Sequence, residues 1–214
     1  MFTGIVQEIG KIKHCKQQNR KKYFQIECLT MQTDLSIGDS IACNGVCLSV
    51  LAFTENDITC ETMQQTLLTT TAGFWKVGTP IHLERAMKLS DRINGHLVQG
   101  HIDTVTNLTN VRKDINTPYY TFFLPQQFSQ LIVDHGSICI DGVSLTIAEA
   151  TVNSFTVALI EQTLTTTFFQ DLTVNSKVNL EFDVIGKYVS KLLSSKQLPE
   201  QNISIDWAIK NGFK

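Results

Sequence analysis

Asn44-Gly45-Val46-Cys47-Leu48-Ser49-Val50 recurs 97 residues later as Asp141-Gly142-Val143-Ser144-Leu145-Thr146-Ile147. Three of the seven aligned pairs are identical, and the other four exchange side chains of similar size and polarity. The same offset aligns Leu83-Glu84 with Leu180-Glu181 near the end of each copy. An offset that persists this far indicates two copies of one structural unit, each about 90 residues long. Two copies of one unit predict two similar pockets, suited to two similar or identical ligands.

Both copies contain short segments rich in Ile, Val, Phe and Thr, with Gly, Asn and Asp between them. This composition is typical of β-strands joined by turns. Because no long helical pattern separates the segments, their spacing predicts small antiparallel barrels or sandwiches, and closure into a barrel would remove exposed strand edges. The predicted strands are 23–29, 40–50, 56–62 and 79–85 in the first copy and 119–124, 137–147, 154–160 and 176–182 in the second.

A helical pattern follows the second copy and has no counterpart after the first. Its apolar residues recur at i, i+3, i+4, i+7 and i+8, which predicts an amphipathic helix. Such a helix needs an apolar surface to cover, either on its own barrel or on partner subunits, and we favour self-association. A short terminal helix is predicted over Ile205 to Gly212. The apolar positions of the longer helix are Ile185, Tyr188, Val189, Leu192 and Leu193.

The composition argues against several classes of protein. A net charge of −2 over 214 residues, without a long basic run, disfavours nucleic-acid binding, and the segment from Lys11 to Lys22 is interpreted as a solvated strand edge and turn. No apolar stretch reaches the roughly 18 residues of a membrane-spanning helix, and residues 1–6 lack a signal-peptide pattern. The six cysteines divide five to one between the copies, so we expect reduced cysteines in a cytoplasmic protein.

The repeated strand is the best candidate for chemistry. Alternation along a strand places Ser144 and Thr146 on one face, and Cys47 and Ser49 on the same face of the first copy. The Asn-Gly and Asp-Gly pairs before them indicate turns or bulges where a flat ligand can approach the backbone. Two readings stay open at this point: small polar groups of a pocket, or hydroxyls that face water.

Threonine clusters and two ionisable residues raise further alternatives. Thr66/Thr69–Thr71 and Thr163/Thr165–Thr167 are suited to hydrogen-bond a polyol or phosphate, but threonine is also a good strand former. At the 97-residue offset His101 replaces Gly4 and Asp183 replaces Ala86, which predicts different roles for the two copies. A structural role for His101 is the alternative.

Five motifs in this order resemble riboflavin synthase of the alpha-chain type, and the resemblance covers nearly the whole chain. The resemblance implies a tandem pair of six-stranded Greek-key barrels, in an all-β fold, plus a C-terminal helix. The motifs are Met1-Phe2-Thr3-Gly4-Ile5-Val6, Asn44-Gly45-Val46-Cys47-Leu48, Gly95-His96-Leu97-Val98-Gln99-Gly100-His101, Asp141-Gly142-Val143-Ser144-Leu145-Thr146 and Val178-Asn179-Leu180-Glu181.

The family converts two molecules of 6,7-dimethyl-8-ribityllumazine into riboflavin and 5-amino-6-ribitylaminouracil, without a metal or redox cofactor. The resemblance also implies two domains, at 1–97 and 98–184, followed by an oligomerisation helix and tail at 185–214. It further implies a homotrimer. The first barrel of one subunit is expected to face the second barrel of its neighbour. Association with lumazine synthase is a further expectation.

The resemblance also implies a set of site residues, matched position by position. The first-barrel pocket is expected to use Gly4, Ile5, Val6, Ser40, Cys47, Leu48, Ser49, Glu61, Thr62, Met63, Gln64, Gln65, Thr66, Gly100, His101 and Ile102. The second-barrel pocket is expected to use Ser144, Leu145, Thr146, Ile160, Glu161, Gln162, Thr163, Leu164, Thr165 and Asp183, with His135 beside it. The residues expected to assist catalysis are Ser40, Cys47, His101, Ser144, Thr146 and Asp183.

The chain departs from the family pattern at three positions. His135 stands where the family usually carries Lys, and Gln65 and Gln162 stand where it favours Glu. The rival interpretation is a lumazine-protein-like module that binds a lumazine or flavin without turnover; such relatives tend to lose the residues at Cys47 and His101, which are present here. A third interpretation, a flavin reductase-type barrel, has less support. It would need an attached nicotinamide-binding domain, and the sequence has no βαβ pattern or Gly-rich fingerprint.

Overall fold

Each copy of the repeat forms a closed six-stranded antiparallel barrel in the computed structural model, which describes residues 1–114 and 117–195. The strand order around the first barrel is β1-β2-β5-β4-β3-β6, and the second barrel repeats it. The first six strands are β1 Glu8–Gln18, β2 Lys21–Glu27, β3 Ser40–Cys43, β4 Val46–Phe53, β5 Asp57–Met63 and β6 Pro80–Arg85. The second six are β7 Thr104–Lys113, β8 Pro118–Phe123, β9 Ser137–Ile140, β10 Val143–Ala150, β11 Ser154–Ala158 and β12 Lys177–Phe182.

The predicted strands 40–50 and 137–147 were each wrong as single strands, because a two-residue turn divides them. Asn44 and Gly45 have φ values of 45° and 77°, and Asp141 and Gly142 have 45° and 82°. Two consecutive positive φ values suit the tight turn of a β-hairpin, which explains the Asn-Gly and Asp-Gly pairs. Each duplicated motif is therefore a hairpin, β3-β4 or β9-β10.

The strands β1 and β7 were missed by the strand predictions, because their outer halves are polar and exposed. The segment from Lys11 to Lys22 nevertheless forms the predicted strand edge and turn, with Asn19 at φ 55° between β1 and β2. Each barrel encloses its own apolar core. In β4 the residues Val46, Leu48 and Val50 point into the first core, so the intervening positions face outward.

The barrels are joined by two crossing segments, each of which lies against the barrel of the other copy. Phe2 pairs with Val98 in an antiparallel bridge, and both side chains are fully buried. The Gly4 carbonyl accepts from the Ser144 N–H at 2.7 Å, and the Gly100 carbonyl accepts from the Cys47 N–H at 2.9 Å. Since Ser144 and Cys47 are equivalent, Gly4 and Gly100 are equivalent too.

These contacts correct one alignment made from sequence. The offset is 97 residues in the hairpins but 96 in the crossing segments, so His101 corresponds to Ile5 and not to Gly4. Gly45 and Gly142 meet where the two hairpins touch: a side chain added at either one would lie within 2.8 Å of the other's backbone nitrogen. Glycine is required at both turns by the close approach and by the positive φ.

A buried polar network seals the contact between the barrels. Asn179 accepts from the Thr71 N–H and donates to the Asn44 carbonyl, at 2.7 and 2.8 Å. The His82 ring stacks on Phe168 at 3.7 Å between centroids and contacts the Asp141 carbonyl through Nδ1 at 2.9 Å. Burial lowers the pKa of His82 to about 4 and raises the pKa of Asp141 to about 8.

Three α-helices accompany the strands in the described part of the chain. The helix α1 (Gln64–Thr69) follows β5, and its equivalent α2 (Glu161–Thr166) follows β11. The predicted amphipathic helix is confirmed as α3 (Val184–Ser195), whereas the predicted terminal helix 205–212 lies outside the described residues. Within the described part of the chain, no helix is long and apolar enough to cross a membrane.

Candidate active site

The first half of the candidate site is the outward face of β3, β4 and β5. Ser49 on the central strand pairs with Ser40 on one side and with Glu61 on the other, which forms a polar row across three strands. Cys47 lies on the same face, half-buried. The Glu61 carboxylate forms an ion pair with Lys21 at 2.9 Å. This face offers hydroxyls, a thiol and a carboxylate to a polar ligand.

The second half of the site repeats this face with different side chains. Thr146 pairs with Ser137 as Ser49 pairs with Ser40, and Ser144 takes the place of Cys47. Ser144 is half-buried and Thr146 exposed. Ser137 was not predicted as a site residue, although the 97-residue offset from Ser40 would have found it. The replacement of a thiol by a hydroxyl makes the two half-sites chemically unequal.

The crossing segments are held beside these faces by two equivalent carboxylates. Glu84 accepts from the Thr3 N–H at 2.6 Å and from the Gly4 N–H at 3.0 Å. Glu181 accepts from the N–H groups of residues 99, 100 and 101 at 2.7, 2.9 and 3.1 Å. Burial raises the pKa of both carboxyls, against the opposing effect of these donors. His101, with an exposed side chain, is thus anchored through its backbone next to the residue bonded to Cys47.

The crossing places two residues on the opposite barrel from the one expected. Gly4 contacts Ser144, and Val6 packs against the core of the second barrel, so both belong to the second half-site. Ile102 packs against the first core, as expected for the first half-site. Ile5 lines a cavity together with Ser40 on the first barrel.

Three predicted binding residues direct their side chains away from the site. Leu48, Thr62 and Leu145 are buried, at 4%, 2% and 7% exposure, because strand alternation turns them inward. A ligand on the outer face can reach only their backbone. Alternation along the repeated strand already predicted this orientation for both leucines.

Most of the threonines in the two clusters stabilise local turns. The hydroxyls of Thr70 and Thr167 each donate to a carbonyl four residues earlier, both at 2.6 Å. The Thr71 hydroxyl accepts from Asn179 between the barrels. On the short helices the remaining candidates are half-buried or exposed: Gln64, Gln65 and Thr66 on α1, and Glu161, Gln162, Thr163, Leu164 and Thr165 on α2. Exposed Met63 and Ile160 precede these helices.

His135 occupies a left-handed turn on the surface. Its φ is 64°, and the equivalent residue of the first copy is Gly38 at 94°. The backbone bonds are the same in both turns: His135 donates to Ile147 and Gly38 donates to Val50. The side chain is exposed, just before the start of β9. Histidine is one of the non-glycine residues that are enriched in this left-handed conformation, so it can take the place of glycine at this turn.

His96 lies beside Ser144, and Asp183 is near enough for its charge to act on His96. The Asp183 carboxylate accepts from the Ile185 N–H at 2.8 Å at the start of α3. His96, which received no role from the sequence, contacts the Ser144 hydroxyl through Nδ1 at 2.7 Å. Burial lowers the pKa of His96, and the Asp183 charge opposes this effect. Sequence reasoning missed His96 because the contact joins residues 48 positions apart.

Two cavities lie at equivalent places on the barrels. One, of about 570 Å³, includes Ser40, Glu84 and Arg85, and the other, of about 440 Å³, includes Ser137 and Asp183 and is lined on one side by α3. Neither cavity contains Cys47 or Ser144. The candidate residues therefore form two open faces with flanking cavities, and the described part of this single chain does not gather them into one enclosed pocket.

Comparison with known proteins identifies the domain class. The model of the Lumazine binding domain matches the chain twice, over residues 3–86 and 99–183. The chain is therefore a protein of two lumazine-binding domains, in agreement with the two barrels. The structure of LumP complexed with riboflavin has a TM-score of 0.78 and 23% identity, and covers 85% of this chain and 99% of that one. At this identity the likeness concerns the fold alone.

Full-length relatives identify the family within this class. Riboflavin synthase of Bacillus subtilis (strain 168) is 38% identical over 215 residues, and that of Actinobacillus pleuropneumoniae is 37% identical; both alignments cover 100% of each chain. Riboflavin synthase of Schizosaccharomyces pombe is 36% identical, over 91% of this chain and 95% of that one. The chain belongs to the riboflavin synthase family.

Proposed function

We propose that this chain catalyses the dismutation of two 6,7-dimethyl-8-ribityllumazine molecules to riboflavin and 5-amino-6-ribitylaminouracil. The carrying observation is the duplicated polar face, which recurs on both barrels with a crossing glycine beside it. The reaction uses two identical molecules, one that donates a four-carbon unit and one that accepts it. Two related binding faces suit two copies of one ligand.

Orientation is the main contribution expected from this scaffold. Backbone groups of β4 and β10 and of the crossing segments hold the planar pyrimidine edge, while hydroxyls and carboxylates bind the ribityl chains. Holding two reactants in register supplies about 7–11 kcal/mol of barrier reduction in favourable cases. Ser40, Ser49 and Glu61 on the first barrel, and Ser137 and Thr146 on the second, are the groups that bind polyol hydroxyls.

The chemical steps are a loss of a proton from an acidic ring methyl and addition of a nucleophile to an electrophilic ring carbon. We assign Cys47 and His101 to the first half-site, because the Cys47 N–H donates to the carbonyl of Gly100, the residue before His101. Ser144 and Thr146 supply hydrogen bonds at the second half-site, with Asp183 nearby. A positioned group that transfers a proton in the transition state typically raises the reaction rate by about 10²–10⁴-fold.

We propose a homotrimer in which each site forms between the first barrel of one subunit and the second barrel of the next. Two observations support an oligomer. The apolar face of α3 is open, with Ile185, Val189 and Leu193 at 61%, 48% and 65% exposure. The half-sites of one chain are also separated, because Phe2 and Val98 pack with Ala42 and Cys139 between the hairpins. Exposed apolar helices commonly mark interaction surfaces.

The remaining assignments follow from the same family. We propose domain boundaries at 1–97 and 98–184, with 185–214 as the oligomerisation segment and tail. A cytoplasmic location is supported by the cysteines, all six of which are described and free of disulfides. Association with lumazine synthase stays a prediction.

The experiment is a conversion assay with purified protein and 6,7-dimethyl-8-ribityllumazine. Riboflavin formation is followed by absorbance and fluorescence, and lumazine loss by chromatography. We expect one riboflavin for each two lumazines consumed, without added cofactor. Saturable binding without riboflavin formation would contradict the proposal and favour a module that binds a lumazine or flavin without turnover.

A further inference from the structure

His96 is a buried ionisable side chain that touches the side chain of a candidate ligand-binding residue. It is 8% exposed, and its Nδ1 lies 2.7 Å from the Ser144 hydroxyl oxygen. Its Nε2 is buried and has no hydrogen-bond partner among the described residues. A buried imidazole that uses one nitrogen and leaves the other unmet is uncommon enough to require an explanation.

The backbone fixes this histidine in place. The preceding Gly95 is pressed against Thr3 and Ser144: a side chain there would lie 2.2 Å from the Thr3 carbonyl and 2.7 Å from the Ser144 Cβ. The His96 N–H donates to the same Thr3 carbonyl at 3.2 Å. Since the Thr3 backbone is itself bonded to Glu84, the His96–Ser144 contact belongs to the rigid part of the barrel junction.

The burial pattern determines which nitrogen carries the proton. Burial lowers the pKa of His96, so the ring is neutral at pH 7 and has one N–H. A proton on Nε2 would leave a buried donor without an acceptor, a situation that is rare in folded proteins. A proton on Nδ1 is instead donated to Ser144. The Ser144 oxygen then accepts from His96, and its own proton is free to point away from the ring.

We propose that His96 is a positioning residue that commits the Ser144 hydroxyl to donate a hydrogen bond toward the ligand on the second half-site. This inference rests on the proposed function and deepens it. Loss of the methyl proton leaves negative charge on the lumazine heterocycle, and a committed donor stabilises that charge more than a hydroxyl that also donates elsewhere. The proton from the methyl goes to solvent or another base; His96 and Ser144 keep theirs.

Among the described residues, this contact between a histidine and a strand hydroxyl occurs on the second barrel. Ser144 corresponds to Cys47 on the first barrel, and no described histidine is hydrogen-bonded to the Cys47 thiol. The first half-site therefore lacks this fixed donor. The two half-sites differ in their ability to hold an anion, and the second is assigned to the lumazine that becomes deprotonated.

The test measures the deprotonation of bound lumazine directly. Spectroscopic titration gives the pH midpoint for ionisation of lumazine bound to excess protein, a readout that works even if the wild-type protein shows no turnover. We expect His96→Phe to raise this midpoint by about one pH unit and to lower kcat by roughly 10- to 100-fold with KM changed less than about threefold. Ser144→Ala should give the same pattern, and the double variant should be no worse than either single one.

Matched variants separate this role from a purely structural one. His14→Phe, at an exposed histidine of β1, should match wild type in midpoint and kcat. His96→Asn, whose amide nitrogen can reach the place of Nδ1, should retain the midpoint better than His96→Gln, and this comparison decides the matter if His96→Phe does not fold. The proposal would be overturned by an unchanged pH midpoint in His96→Phe. It would also be overturned if the losses of kcat in His96→Phe and Ser144→Ala multiplied in the double variant, or if His96→Gln retained the midpoint better than His96→Asn. If wild type shows no turnover but His96→Phe still shifts the pH midpoint, the proposed function is wrong and the role of His96 stands.

Discussion

The carboxylate of Glu181 is predicted to hold the crossing segment that carries His101, and Glu181→Gln tests this directly. One oxygen accepts from Gln99 and the other from Gly100 and His101, at 2.7, 2.9 and 3.1 Å. Hydrogen bonds to a charged group are worth about 1.5–3 kcal/mol each, against about 0.5–1.5 for neutral ones. Glutamine can keep two of the three as neutral bonds, and it places an amide N–H₂ against the third donor.

The lost charge and the unmet donor together predict a destabilisation of about 2–4 kcal/mol, after allowance for the cost of burying the carboxylate. For a chain of this size the melting temperature should fall by about 5–15 °C. Turnover should fall by roughly 10- to 100-fold at a temperature where the variant is folded, because the segment that positions His101 against the first half-site shifts.

The assay combines urea unfolding with the lumazine conversion assay. Glu149→Gln is the control, since Glu149 is exposed on β10 and should change neither quantity. The proposed role of Glu181 would be refuted by a Glu181→Gln variant whose free energy of unfolding lies within about 0.5 kcal/mol of wild type and whose turnover is unchanged.

Three further perturbations have defined outcomes. Cys47→Ser and His101→Gln should each lower kcat much more than lumazine affinity in titration, because their interactions are made mainly in the transition state; equal turnover to wild type would remove both from the site. Asp141→Asn should become more stable relative to wild type as pH rises from 4 to 8. Burial raises the pKa of Asp141 from 3.8 to about 8, so the folded wild-type protein keeps a proton there that the unfolded chain has lost, and the wild-type free energy of unfolding falls over this pH range. The gain is at most about 1.4 kcal/mol per pH unit in urea unfolding, and a flat difference would contradict the buried acid. Leu193→Glu on α3 should reduce the oligomer mass in light scattering, whereas Lys191→Glu should not; an unchanged mass for Leu193→Glu would exclude α3 from the interface.

The barrels and the helix α3 were predictable because their signals are local or repeated. Alternation in β4 and β10, the turn pairs at Asn44 and Asp141, and the helical spacing after residue 184 each show in a few neighbouring residues. The duplication then made each copy a check on the other. For these elements the pattern and the packing agree.

The parts that were not predicted depend on contacts between distant residues. Glu181 meets Gly100 across 81 positions, and His96 meets Ser144 across 48. The crossing of Gly4 onto the second barrel reversed its assignment, because a one-residue change of offset between segments is invisible without the fold. Asn179 and His82 were visible as polar residues in apolar strands, a signal that points to a buried network but does not say with which partners.

Mixed trimers of two variants with low turnover test the central claim most directly. Cys47→Ser impairs the first half-site and Ser144→Ala the second, and the two proteins are unfolded together and refolded at equal amounts before the lumazine conversion assay. If each site joins half-sites of neighbouring subunits, every mixed trimer holds one intact site of three. Random assembly then restores about one quarter of wild-type activity, since about three quarters of trimers are mixed. Activity that stays at the level of the separate variants would contradict a catalytic site built from two subunits.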